Sequence, residues 1–139
     1  MKCLIVRPPF AKYIVDGIKG IEYRSRKTNI RGRIGIIESG TSVVIGDVML
    51  SDCKYNPDIH LWEWHLDSPN KYATIVHITR KKGCVVWEDI DFDPDNYMMQ
   101  YEKPAMYNWN AYKDEEECHK LEQEFIKKYV RRTYGLDGV

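Results

Sequence analysis

No run in the 139 residues approaches the roughly 20 consecutive apolar positions a membrane-spanning helix needs, and Leu4-Ile5-Val6 is too short for the core of a secretion signal. A soluble, cytoplasmic protein is expected. Cysteine is sparse: Cys3, Cys53, Cys84 and Cys118 lie far apart, with no C-x-x-C and no close Cys/His spacing, so a zinc site would have to gather ligands from the whole chain. They read as reduced, mostly buried thiols, and neither metal nor cofactor is expected. Internal repeats are lacking too, and the length suffices for one hydrophobic core without disulfides, so one compact domain is the default.

Net charge is also lacking, with 21 basic and 21 acidic residues, but the balance hides a split. Through Arg33 there are nine basic residues (Lys2, Arg7, Lys12, Lys19, Arg24, Arg26, Lys27, Arg31, Arg33) against Asp16 and Glu22, a net +7 that leaves −7 for the rest. Two readings stay open: a dipolar molecule with one surface attractive to polyanions, or salt bridging between the two halves.

Along the chain, Leu4-Ile5-Val6 reads as a buried strand, and Pro8-Pro9 suits a helix start because proline is tolerated where the first amides are unpaired anyway. A short helix through Val15 follows, with Phe10, Tyr13 and Ile14 on its apolar stripe and Gly17 placed to end it in a left-handed conformation. From Ile21 to Ser25 the alternation of a strand puts Ile21 and Tyr23 on one face and Glu22 and Arg24 on the other. Further strands are predicted at Ile34–Ser39, at Gly46–Cys53, and near Ala73–Ile78 and Gly83–Glu88. Trp62, Trp64 and Leu66 alternate like one strand face, or begin a short helix, and read as core. Short strands separated by glycine and polar turns, with one early helix, point to an α+β fold built on a small mixed barrel.

After Asp89 the chain turns acidic and then irregular, with Tyr97, Tyr101, Tyr107, Trp109 and Tyr112 in an aromatic connector. Asp114 with Glu117 has a helix N-terminal capping pattern, and Cys118, Leu121, Phe125 and Tyr129, extended by Ile126 and Val130, form an apolar stripe. This predicts an amphipathic helix over 115–133, with acids at its start and bases at its end complementing the dipole. Residues 1–90 are expected to form the barrel and 91–139 an extension packed on the same domain.

Gly17, Lys19, Glu22 and Arg24 make a G-x-K-x-x-E-x-R pattern, followed by the glycine strand Gly32–Ser39, by Gly46-Asp47-Val48, by Trp64-x-Leu66 and by Lys82-Gly83-x-x-x-Trp87. In order and spacing these motifs resemble the ASCH family over about residues 3 to 90, with Pro8, Gly17, Gly32, Gly46, Trp64, Gly83 and Trp87 as structural marks. The resemblance implies a PUA-like β-barrel with a cleft beside the first helix, in a family associated with RNA binding and with transcription and translation control.

The residues themselves support a binding surface: a strand carrying Glu22 and Arg24 beside a turn carrying Lys19 converges three charges on one patch. Arg24 offers a planar fork of donors for a phosphate or base edge, and Lys19 a mobile point charge. Arg26, Lys27, Arg31 and Arg33 would extend the attraction to a nucleic-acid backbone, and Ser39 closes the glycine strand. RNA, another nucleic acid or a nucleotide is the expected partner. The alternative is an ordinary Glu22–Arg24 surface pair of little consequence.

One family branch hydrolyses N4-acetylcytidine with the lysine of this turn, a threonine and a glutamate. Lys19 fits the lysine, but Glu22 stands where the threonine would be, which leaves catalysis to Lys19 and to Glu22 as a general base. Cys53 with His60 or His65 has no spacing that marks a thiolate pair. Tyr23 and Tyr55 are candidates to stack a base if they flank the cleft, and the C-terminal extension is a candidate surface for a protein partner or a second copy.

Overall fold

A computed structural model describes residues 1–94 and 109–134, with side chains in the last helix from 113 to 132. In chain order the elements are β1 (Lys2–Val6), α1 (Phe10–Val15), β2 (Ile21–Arg24), β3 (Gly32–Glu38), β4 (Val43–Asn56), β5 (Leu61–His77), β6 (Trp87–Asp89) and α2 (Trp109–Tyr134). The strands form one six-stranded sheet in the order β2-β5-β4-β3-β1-β6. All neighbours are antiparallel except β1 and β3, where Leu4 faces Ile36 in parallel register. A parallel pair cannot be joined by a tight turn, and α1 with β2 supplies the crossover.

The sheet curls because β4 and β5 slip register between Val44 and Gly46, Asp47 and Met49, and Leu50 and Asp52, and each irregularity bends a strand. Curling brings distant strands together through side chains. Trp64 of β5 stacks on Trp87 of β6 with ring centroids 5.7 Å apart, and Arg24 on the edge strand β2 donates 2.9 Å to the Ile5 carbonyl on β1. The sheet is nevertheless not closed by strand pairing, so what stands is a mixed α+β fold with an open, curled sheet, and the expected barrel is not established.

Two further expectations are corrected. The strand predicted near Ala73–Ile78 is not a separate element: β5 runs unbroken from Leu61 through Asp67-Ser68-Pro69-Asn70 to His77. Irregular pairing with β4 and a positive φ at Ser68 accommodate it. Of Gly83–Glu88 only Trp87 and Glu88 are in a strand, because Gly83 has φ +90° and turns the chain.

α1 buries Ala11, Ile14 and Val15 against Leu4, Val6, Ile36, Val48, Trp64 and Leu66 on one sheet face, and Tyr13 is buried as well. The approach is close: a Cβ at Gly46 would sit 2.7 Å from Val15 Cγ1 and closer still to the Asn70 carbonyl, so only glycine fits there. On the other face Cys3, Ile5, Ile37, Val44, Tyr72 and Val76 pack under Ile78, Ile90 and Phe92. α2 docks Ile126 and Val130 on Leu61 beside Tyr23. It begins at Trp109, not at Asp114: residues 109 to 113 contain no glycine or proline to stop it, and Asp114 is an ordinary helical position. The connector side chains from Tyr97 to Tyr112 lie outside the described residues.

Burial pushes the Cys3 thiol from 9.0 to about 12. It does the same for Cys118, with the Glu122 charge as a second cause. Tyr13 rises from 10.0 to about 12 through burial and then a hydrogen bond with Glu117 on α2. Each group holds its proton more tightly folded than unfolded, so its contribution is complete below the unfolded pKa and is lost as pH climbs toward the folded one. The urea midpoint is therefore expected to fall steadily from about pH 8.5 to about pH 11. A midpoint constant across that window would show that these groups ionise without opening the structure.

Candidate functional site

α1 is capped at Asp16, and Gly17, with φ +79°, reverses the chain so that the amides of Ile18 and Lys19 both bond the Tyr13 carbonyl, at 2.9 and 3.0 Å. This turn aims Lys19 inward, leaving the residue 4 % exposed. A buried ammonium is tolerable only if fully partnered. Here Nζ donates to the Ile21 carbonyl and to Glu122 Oε1 at 2.7 Å, lies 3.8 Å from Glu22 Oε1, and sits 5.1 Å from the ring centroids of both Phe10 and Tyr23. The mobile point charge expected of Lys19 is thus corrected to a clamped one.

β2 follows directly, and its polar face turns into the protein. Glu22 is buried and bridges both cations, Oε1 toward Lys19 and Oε2 3.3 Å from Arg24 Nη2. Arg24, half-buried, also lies with its guanidinium carbon 5.7 Å from the Trp64 ring. The three charges read from the motif do converge, and a fourth, Glu122, balances the two cations with two carboxylates.

These groups stand on the wall of a cavity of about 330 Å³ that also takes in Arg7, Ser25 and Ser39, with Phe10, Tyr23 and Phe125 among its rings. Of the predicted binding residues, Lys19, Glu22, Arg24 and Ser39 therefore meet. Arg26, Lys27 and Arg31 do not reach the wall; they are exposed on the loop that leaves it at Ser25. Arg33 is elsewhere: its guanidinium bonds Asp47 Oδ1 at 2.6 Å from Nε and the Ser68 carbonyl at 2.6 Å from Nη2. Asp47 is fully buried and also accepts from Asn70 at 3.0 Å and from the Tyr72 hydroxyl at 2.6 Å. Arg33 is thus a structural partner, contrary to the expectation that it faces a ligand.

Tyr23 lines the cavity as expected, whereas Tyr55 packs 5.2 Å from Trp62 away from it. His60 lies 3.3 Å from the Tyr55 hydroxyl and His65 3.5 Å from Glu63, so each has a partner other than Cys53. Among the described residues no three His, Cys, Asp or Glu side chains lie where they could hold a metal ion, and no helix is long and apolar enough to cross a membrane.

Sequence reasoning missed the α2 contribution, Glu122, Phe125 and Tyr129. A signal was present: Glu122 falls four positions after Cys118 and four before Ile126, a carboxylate on the buried stripe of an amphipathic helix, where an unpaired charge would be costly. Beside it, the raised Cys118 thiol stays protonated at neutral pH and is not a thiolate nucleophile.

Salt bridging between the basic segment and the rest accounts for part of the charge split. Lys2–Asp89, Lys19–Glu122 and Arg33–Asp47 bridge the basic segment to the rest, while Arg7, Lys12, Arg26, Lys27 and Arg31 make no ion pair among the described residues. Compared with known families, residues 4–131 match the family model described as ASCH domain, so the match runs past residue 90 and includes most of α2. No curated protein matches the chain.

Proposed function

Because the chain belongs to the ASCH domain family, we propose that its cavity receives a nucleotide base of single-stranded RNA, on a curled sheet that serves as a PUA-like scaffold. One observation carries the reading: the carboxylate of Glu22 and the guanidinium of Arg24, 3.3 Å apart and held from behind, meet Ser39 and the rings of Phe10 and Tyr23 on one cavity of about 330 Å³. A fixed acceptor beside a fixed donor fork suits the polar edge of a base, and aromatic walls suit its faces. The exposed Arg26, Lys27 and Arg31 begin next to the wall at Ser25 and suit phosphates.

Hydrolysis is less favoured by the same geometry. Lys19 Nζ is engaged by Glu122 and the Ile21 carbonyl, and Glu22 by two cations, which leaves neither side chain free to turn toward a substrate.

Fluorescence anisotropy with short single-stranded RNA tests the proposal. Arg24→Ala is expected to weaken binding roughly tenfold or more, the effect of one lost charged hydrogen bond. Lys27→Ala/Arg31→Ala is expected to reduce the slope of log affinity against log salt by about 1.4, at about 0.7 per phosphate contact on a single strand. Equal affinity in all three proteins, or no binding by the wild type at low salt, overturns it. Release of cytidine from N4-acetylcytidine, lost on Lys19→Ala, would move the reading to a hydrolase.

A further inference from the structure

A second cavity, of about 410 Å³, lies between the Arg7-Pro8-Pro9 turn and α2, and shares Arg7, Phe10, Phe125 and Tyr129 with the first as a common wall. Three cations line it, Arg7, Lys128 and Arg132, against one carboxylate, Glu124. All three cations are exposed, and among the described residues none makes an ion pair. The helix dipole accounts for a base in the last turn such as Arg132, but Lys128 stands a turn earlier and Arg7 is not on the helix at all. Lys128 and Arg132, four positions apart, repel each other on one helix face, a small cost that a bound anion would relieve.

We infer that this groove carries the sugar-phosphate backbone next to the inserted base, so that the ligand is an oligonucleotide and not a free nucleotide or nucleoside; the inference rests on the reading of the first cavity. Arg7, common to both walls, stands where the chain passes from one to the other. The second cavity is no smaller than the first and has room for one more nucleotide unit.

The test compares a fluorescein-labelled random single-stranded RNA of about six nucleotides with an equimolar mixture of the four ribonucleoside 5′-monophosphates as competitor. The wild type is expected to bind the oligonucleotide at least about tenfold tighter than the mixture, because added phosphate contacts add affinity. In Lys128→Ala/Arg132→Ala that ratio falls severalfold, and the salt slope for the oligonucleotide drops by about 1.4. Both replacements are at exposed positions and favour helix, so the variant should fold, and its thermal melt verifies this. Equal affinity of the wild type for the two probes, or a variant that keeps both ratio and slope, overturns the groove while leaving the cavity reading intact. Failure of the wild type to bind either probe at low salt overturns both.

Discussion

Replacing Asp47 with alanine is expected to lower the unfolding free energy by about 3 to 5 kcal/mol, the usual cost of leaving a buried charge without its partner. Asp47 has no exposed surface and receives Arg33, Asn70 and the Tyr72 hydroxyl on its two oxygens. Alanine removes the acceptor and leaves the donors behind, and they pay the desolvation cost without a hydrogen bond. Tyr72 is the most confined of them: burial and then Asp47 drive its pKa upward, which keeps it a protonated donor at any ordinary pH. Urea denaturation of Asp47→Ala beside Asp52→Ala measures the effect. Asp52 is about half exposed, and its loss should stay within about 0.5 kcal/mol. A drop of less than about 1 kcal/mol for Asp47→Ala would mean that water enters and satisfies the donors.

The second large effect concerns the clamp. Lys19→Met and Glu122→Gln should each cost about 3 kcal/mol, since each leaves the other's charge poorly compensated beside Phe10 and Tyr23. The double variant should cost less than the sum by about 1 kcal/mol or more, because it removes both charges together and leaves neither behind. Strict additivity would show that the 2.7 Å contact contributes nothing, and that Lys19 is held by the Ile21 carbonyl, Glu22 and the rings without it. The result matters for function: if Lys19 spans strand turn and helix, α2 is an integral wall of the cavity, and deleting it removes the site as well as the helix.

The motif residues were legible because their geometry is local. The turn at Gly17 and the period-two alternation of β2 are enough to put Lys19, Glu22 and Arg24 within reach of one another, and the structure does so. The limits of α1 followed from proline and glycine at its ends in the same way. Locality also explains the errors. Arg33 is two residues beyond Arg31 and equally basic, yet sheet pairing sets it opposite Met49, within reach of Asp47, and ties its guanidinium into a structural network while Arg31 stays exposed. The strand at Ala73–Ile78 looks separate from Trp62–Leu66 in the sequence, but pairing of Asp67 and Asn70 with β4 joins the two as β5. Asp114 has capping chemistry, but a helix already formed from Trp109 makes it an interior residue.

By itself the sequence determined the family pattern, the early helix, the strand that carries Glu22 and Arg24, and the charge split, all of which depend on neighbours within a few residues. The tertiary structure alone decided that β2 turns its charged face inward, that Glu122, 103 residues from Lys19, completes the clamp, and that the sheet curls without closing its hydrogen bonds. The physical reason is that burying a charge requires a partner, and whether a partner arrives depends on how bends in β4 and β5 bring distant chain segments together, which no local spacing encodes.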